Sequence, residues 1–184
     1  MQDLRHVDAY TDGACFGNPG PGGYGVVLSY GPHCCELSGG YRKSTNNRME
    51  MLAAVTALRA LKEKCQVSLY SDSQYLVQMM QGGWPRKWQA NGWRRARKGM
   101  VANVDLWGDL LQVCDEQQVE FVWVKGHAGH PENERCDQLA MQAARQSNLA
   151  VDEGYELAVG KAGSFLLEGR QSSLLDPSPD QDTV

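Results

Sequence analysis

The chain has 184 residues, 42% of them hydrophobic, which is enough to bury one good core, so a single folded domain is expected. Its formal net charge is −4, and its longest apolar runs fall far short of the roughly eighteen residues that would span a bilayer. The polar stretch from Met1 to Arg5 does not resemble a signal peptide, so a soluble, cytoplasmic protein is expected.

Residues 5–13 read as a first strand, rich in Val, Ala, Tyr and Thr, that stops at Asp12-Gly13. Asn18-Pro19-Gly20-Pro21-Gly22-Gly23 is turn punctuation, 24–30 a second strand, Gly31-Pro32 a tight turn and 33–41 a third strand. Short turns between three strands imply an antiparallel meander. Ser44-Thr45-Asn46 supplies a cap for a helix running to about Lys64, with Met49, Leu52, Ala53 and Thr56 along one face. A buried strand at 65–70 ends at Ser71-Asp72-Ser73, where a helix over 74–81 begins. Gly82-Gly83 breaks the pattern, and the 84–98 stretch interleaves six bases with three tryptophans and no acid. A helix over 103–116, a strand over 119–124 and a mobile loop over 125–130 follow; Pro131 then opens a last helix to about Ser147. A meander beside crossover connections places the chain in the α/β class, with helices packed on a mixed sheet.

From residue 152 onward there are seven acids and two bases, so a basic patch and an acidic tail are expected on one chain. Composition turns to Gly, Ser, Asp and Pro from about Gly160, which reads as disorder. The six cysteines (Cys15, Cys34, Cys35, Cys65, Cys114, Cys136) form no CxxC pair and no Cys/His cluster, and read as reduced, mostly buried hydrophobes without chemistry.

Four acids stand out by position: Asp12 after the first strand, Glu50 early in a helix, Asp72 after the fourth strand and Asp137 in the last helix. Taken alone, Asp12 opens an Asp-Gly turn, Glu50 is a solvated helix residue, Asp72 caps a helix and Asp137 is a surface charge. If the four converge, their mutual repulsion calls for divalent cations, and an all-oxygen set selects Mg²⁺ or Mn²⁺. Spacing alone does not establish convergence.

The segments Thr11-Asp12-Gly13-x-Cys15-x-Gly17-Asn18-Pro19-Gly20-Pro21-Gly22-Gly23-Tyr24-Gly25, Thr45-Asn46-Asn47-Arg48-Met49-Glu50, Asp72-Ser73-Gln74-Tyr75, Asn103-Val104-Asp105-Leu106-Trp107 and Lys125-Gly126-His127-x-Gly129-His130-Pro131-x-Asn133-Glu134-x-x-Asp137 occur in this order. Together they resemble type 1 ribonuclease H in its bacterial form, over about residues 5–157. The resemblance implies a ribonuclease H-like fold, with a five-stranded mixed sheet flanked by helices. It makes 1–157 the catalytic domain and leaves 158–184 uncovered, the acidic tail whose composition reads as disordered. It implies an endoribonuclease, acting as a monomer, that cuts the RNA strand of RNA–DNA hybrids and leaves 5′-phosphate and 3′-hydroxyl ends. Asp12, Glu50, Asp72 and Asp137 would be the catalytic acids, holding two Mg²⁺ ions about 3.5–4 Å apart, with Mn²⁺ a possible substitute. His127 would be an auxiliary catalytic residue on a flexible loop, suited to moving a proton near neutral pH.

The same resemblance assigns Gly13, Cys15, Asn18, Asn46, Asn47 and Gln74 to the RNA strand, whose 2′-hydroxyls are read in the shallow minor groove. Thr45 and Asn103 would form a phosphate pocket for the DNA strand. Lys43 stands there in place of the arginine common in the family, and lacks its bidentate fork. Trp84, Trp88, Trp93, Arg94, Arg95, Arg97 and Lys98 would form a protrusion binding backbone phosphates without sequence preference, with one or two tryptophans pinning it to the body. Gln171-Ser172-Ser173-Leu174-Leu175 loosely resembles the Gln-x-x-Leu peptides by which some replication proteins hold the sliding clamp. The rival readings are a non-catalytic hybrid-binding module and another nuclease of the ribonuclease H superfamily. The presence of all four acids argues against the module, and Gly13-Ala14 after Asp12 argues against a proofreading exonuclease.

Overall fold

Three long strands open the chain: β1 (Arg5–Cys15), β2 (Gly20–Tyr30) and β3 (His33–Ser44), paired antiparallel as their short turns require. After helix α1 (Asn46–Arg59), strand β4 (Cys65–Ser71) returns parallel to β1. Helices α2 (Gln74–Gln81) and α3 (Trp84–Ala90) lead to a two-stranded ribbon of β5 (Arg94–Arg95) and β6 (Gly99–Met100). Helix α4 (Val104–Glu116) precedes β7 (Gln118–Trp123), which lies parallel to β4, and α5 (Pro131–Ala144) follows. The main sheet has the order β3-β2-β1-β4-β7, the mixed five-stranded sheet expected. The computed structural model describes residues 4–95 and 99–161.

Strand periodicity sorts the side chains into two layers. Val7 and Ala9 of β1 face the larger core, with Met51, Val55, Leu58, Leu69, Trp107 and Leu110. Tyr10 faces the other way, against Val27, Cys136 and Leu139 beneath α5. Asp12 has the parity of Tyr10 and so belongs to the α5 face.

Several boundaries differ from the sequence-based expectation, each for a tertiary reason. β1 and β2 run into the glycine-rich stretch, where Cys15 pairs with Gly22 and Phe16 N–H donates to Pro21 O at 2.8 Å. α1 ends at Arg59 rather than near Lys64, because Cys65 must enter β4: it lies opposite Arg5, and its N–H donates to Gln117 Oε1 at 2.7 Å. Pairing here overrides the helix preference of Leu61, Lys62, Glu63 and Lys64. α5 ends at Ala144, since the chain then turns so that Ala150 N–H donates to Gly40 O at 3.0 Å and Ala150 O accepts from Arg42 N–H at 2.9 Å. All six cysteines are free, but only Cys65 and Cys136 are buried; Cys34 and Cys35 are exposed because β3 is an edge strand.

Met1–Asp152 forms one compact unit and Glu153–Val184 a second, whose residues 153–161 are helical. The boundary expected at 157/158 falls inside that helix. Arg97, Lys98 and residues 162–184, including the Gln-x-x-Leu segment, lie outside the described residues. No described helix is long and apolar enough to cross a membrane.

Candidate active site

The Asp12 carboxylate is 7% exposed and accepts from Gly13 N–H at 2.7 Å. Burial and then the charge of Asp72 push it up to about 8; Asp137 and Glu50 add to the rise, while the Gly13 hydrogen bond opposes it. Asp72, Asp137 and Glu50 are thus each near enough to Asp12 to disfavour its charge. Glu50 Oε1 accepts from Asn46 Nδ2 at 2.7 Å, and Oε2 accepts a short hydrogen bond from Ser73 Oγ. Burial outweighs both donors and, with the charge of Asp72, pushes Glu50 up to about 7.

Missing side chains bring these elements together. A Cβ at Gly13 would overlap the backbone of Met49 and Glu50, so the end of β1 lies directly on the start of α1. Gly25 stands opposite Asp12 in the ladder. A Cβ there would collide with the Cys136 carbonyl and lie 2.8 Å from Leu139 Cβ. That bare position lets α5 approach the sheet and present Asp137, one residue beyond Cys136.

Asp72 is fixed from the β7 side. Val124 N–H donates to Ser71 O at 3.0 Å, and Trp123 Nε1 donates to Asp72 O at 3.2 Å. A Cβ on Gly126 would sit 2.5 Å from Asp72 Oδ2, so the loop after β7 rests against the carboxylate. His127 follows at once, exposed and with a left-handed backbone (φ 52).

The donor set is all oxygen, and two of its carboxyls are driven toward the neutral form. Both features fit hard divalent cations, whose charge would relieve the repulsion. Among the described residues no three His, Cys, Asp or Glu side chains stand close enough together to hold a metal ion as they are placed.

Around the acids, the Cys15 thiol lies 3.4 Å from both Gly20 O and Ser44 O, which share its one S–H donor, and burial raises its pKa. Asn18 Oδ1 accepts from Asn46 N–H at 3.3 Å, tying the β1–β2 turn to α1. Lys43, Asn47 and Gln74 are exposed on the same elements. Thr45 caps α1, its Oγ1 accepting from Arg48 N–H at 3.4 Å, and Asn103 precedes α4 in a left-handed conformation.

The protrusion divides into packing and surface. Trp88 is 8% exposed, lies edge-on to Trp107 at 5.8 Å and is covered by the Arg95 guanidinium. Trp93 also packs on the core. Trp88 and Trp93 therefore hold the protrusion to the body, and Trp88 also lines the groove beside Trp84. Trp84 is 46% exposed, with Lys87 Nζ 4.7 Å above its ring. Tyr75, Met79, Trp84, Lys87, Arg94 and Arg95 line a groove of about 630 Å³. Arg86 is turned away, paired with Asp115.

Sequence reasoning missed three positions. Ser73 rather than Asp72 caps α2, its Oγ accepting from Leu76 N–H at 3.3 Å, and it was legible only as a residue at the helix start; Gly126 was legible only as a loop residue. Arg48, 3% exposed, pairs with Asp105 and Asp152; no local pattern announces a partner 104 positions away. Burial would lower its pKa, but hydrogen bonds to both carboxylates outweigh that and raise it.

The RNase H family model matches residues 5–145. Ribonuclease H of Desulforamulus reducens is 60% identical over 150 residues, spanning 82% of this chain and 94% of that protein. Ribonuclease H of Syntrophus aciditrophicus is 58% identical over 151 residues, spanning 82% and 87%. Among solved structures, LC9-RNase H1, a type 1 RNase H with the type 2 active-site motif, is similar with a TM-score of 0.70 and 33% identity, covering 89% of this chain and 86% of that one. LC11-RNase H1 in complex with RNA/DNA hybrid is similar with a TM-score of 0.59 and 25% identity, covering 75% and 96%. A match over most of the body, at such identities and on the same mixed sheet, means that this chain belongs to the RNase H family of hydrolases.

Proposed function

We propose that this chain is an endonuclease that hydrolyses the RNA strand of RNA–DNA hybrids, leaving 5′-phosphate and 3′-hydroxyl ends. The observation that carries this is the Asp12 carboxylate, 7% exposed where the end of β1 lies on the start of α1 and bare Gly25 admits α5, with Asp72, Asp137 and Glu50 near enough to raise its pKa. A cluster so short of positive charge is built for cations and the phosphate they bring. Family membership supports the hydrolytic chemistry, and the likeness to LC11-RNase H1, solved with an RNA/DNA hybrid, supports the substrate.

Asp12, Glu50, Asp72 and Asp137 would hold two Mg²⁺, with Mn²⁺ an alternative. Cations held there would supply Lewis acidity for activating a water and for stabilising charge at the leaving 3′-oxygen. The chain's own groups do the rest. Ser73 and Asn46 each hold one oxygen of Glu50, and Gly13 N–H holds one of Asp12. His127, on the loop that rests against Asp72, takes up or delivers a proton at the rim. Gly13, Cys15, Asn18, Asn46, Asn47 and Gln74 meet the RNA strand; Lys43, Thr45 and Asn103 meet a phosphate of the DNA strand. Trp84, Arg94 and Arg95 hold backbone further along, where phosphate contacts position the duplex without reading its sequence. Residues 1–157 would carry this activity as a cytoplasmic monomer.

The test is cleavage of end-labelled hybrid, double-stranded RNA and double-stranded DNA with Mg²⁺, comparing the native chain with Asp12→Asn and Asp72→Asn. Only the hybrid should be cut, and both substitutions should reduce cutting to background. Hybrid cleavage that survives both would sink the mechanism.

A further inference from the structure

Arg48 carries a charge yet is buried, and every one of its side-chain N–H groups is committed. Nε donates to Asp152 Oδ2 and Nη2 to Asp152 Oδ1, both at 2.7 Å. Nη2 also donates to Asp105 Oδ2 at 2.6 Å; Nη1 donates to Asp105 Oδ1 at 3.0 Å and to Asn103 Oδ1 at 3.4 Å. A guanidinium has five N–H hydrogens and no acceptor, so these contacts saturate it.

One of the five goes to an amide rather than a carboxylate. Because arginine only donates, Asn103 must turn its oxygen inward, and its two Nδ2 hydrogens remain for another partner. That oxygen does not cap its own helix, since α4 has no side-chain cap hydrogen bond. Thr45 is fixed separately, by the helix cap: its Oγ1 accepts from the backbone N–H of Arg48, leaving the hydroxyl hydrogen to donate. The guanidinium thus occupies the acceptor of Asn103 beside a Thr45 whose acceptor the α1 backbone already uses. What remains is a pair of donors, which suits a ligand that only accepts, such as a phosphodiester oxygen.

We propose that Arg48 is a positioning residue for the DNA-strand phosphate, its guanidinium holding Asn103 as a donor beside the capped Thr45; this rests on the reading of those two residues as the phosphate pocket. Asp152, which also accepts from Ser44 Oγ at 2.6 Å, steadies the opposite edge of the guanidinium. A lysine would keep the charge, but one ammonium cannot span two carboxylates and an amide oxygen in one plane.

The experiment is a double-mutant cycle in the full chain, measuring KM and kcat on a hybrid for Arg48→Lys, Asn103→Ala and the pair, with circular dichroism reporting the fold. Arg48→Lys should raise KM about fivefold at unchanged kcat, and should add nothing once Asn103 is alanine. An equal rise in both backgrounds makes Arg48 merely structural and overturns the proposal. If Asn103→Ala alone leaves KM unchanged, the phosphate-pocket reading itself fails, and the proposal falls with it. Should Arg48→Lys not fold, Asp105→Asn replaces it in the cycle, because it leaves the Arg48–Asp152 pair in place. A rise of about threefold that depends on Asn103 is then expected, and a rise independent of Asn103 overturns the proposal.

Discussion

Asp12 occupies a place where a carboxylate is poorly tolerated, and that discomfort has a measurable sign. Its pKa moves from an ordinary 3.8 to about 8, chiefly through burial. Between those values the folded chain keeps a proton that the unfolded chain releases. Stability from this group is therefore complete below about pH 4 and is lost as pH rises through about 8. Glu50 acts in the same direction between 4.5 and about 7. In the absence of divalent cations the urea midpoint should fall from pH 5.5 to pH 8.5. Asp12→Asn should flatten that fall and stabilise the cation-free protein at the higher pH by about 1–3 kcal/mol. Mg²⁺ should then stabilise the native chain more than the variant; a midpoint indifferent to pH in both proteins would remove the basis for the strained cluster. Ser73 works against the strain, since its hydroxyl donates to Glu50 and lowers that pKa. Ser73→Ala should therefore weaken Mg²⁺ binding severalfold by calorimetry, at unchanged KM for the hybrid, and equal Mg²⁺ affinity in the two proteins would refute this role.

At the scale of elements, the approach of α5 to the sheet decides whether Asp137 reaches Asp12. Gly25 is the critical position, because its missing side chain is filled by the α5 backbone at Cys136. Gly25→Ala must push the helix outward, so both Tm and kcat should fall, with a destabilisation of about 2 kcal/mol or more. Gly108 in α4 is the control, since the nearest atom to a Cβ there is Trp93 Cζ2 at 4.0 Å. Gly108→Ala should stabilise by about 0.5–1 kcal/mol and leave kcat alone. If the two substitutions behave alike, close packing at Gly25 is not what places Asp137. Much of this layout was legible in the sequence. The meander, the βα junction at Asp72, the 74–81 helix and the Pro131 helix start all follow from period, caps and turn residues. The end of α1 was not, because the demand comes from Arg5 and Gln117, which no local window contains. The short helix α3 was hidden in the same way, since its hold on the body is Trp88 against Trp107. The acids were legible as positions and, through ordered motifs, as a family's site. Their convergence was not legible from spacing, because it depends on bare glycine faces on other strands.

At the scale of the molecule, the ion network of Arg48 joins the start of α1 to α4 and to the segment after α5. Nothing in the sequence marks it, since Asp152 opens what composition alone describes as an acidic tail. The two carboxylates differ in surroundings: Asp152 is 4% exposed, whereas the Asp105 side chain is 45% exposed. A buried charge that loses its buried partner is left largely uncompensated, while one that loses a half-solvated partner recovers part of the interaction from water. Asp152→Ala should thus destabilise the chain by about 3 kcal/mol, at the low end of the range for breaking a buried pair because Asp105 remains. For a chain of this size that is a fall in Tm on the order of 10 °C. Asp105→Ala should cost only about 1 kcal/mol, as a partly exposed pair does. Glu36→Gln, which breaks a pair exposed on both sides with Arg135, should leave Tm unchanged. Differential scanning calorimetry of the three variants sets the order. Were Asp105→Ala as damaging as Asp152→Ala, the strength of the network would lie in its geometry around Asn103 rather than in burial, and the segment at residue 152 would lose its place as the clamp on α1.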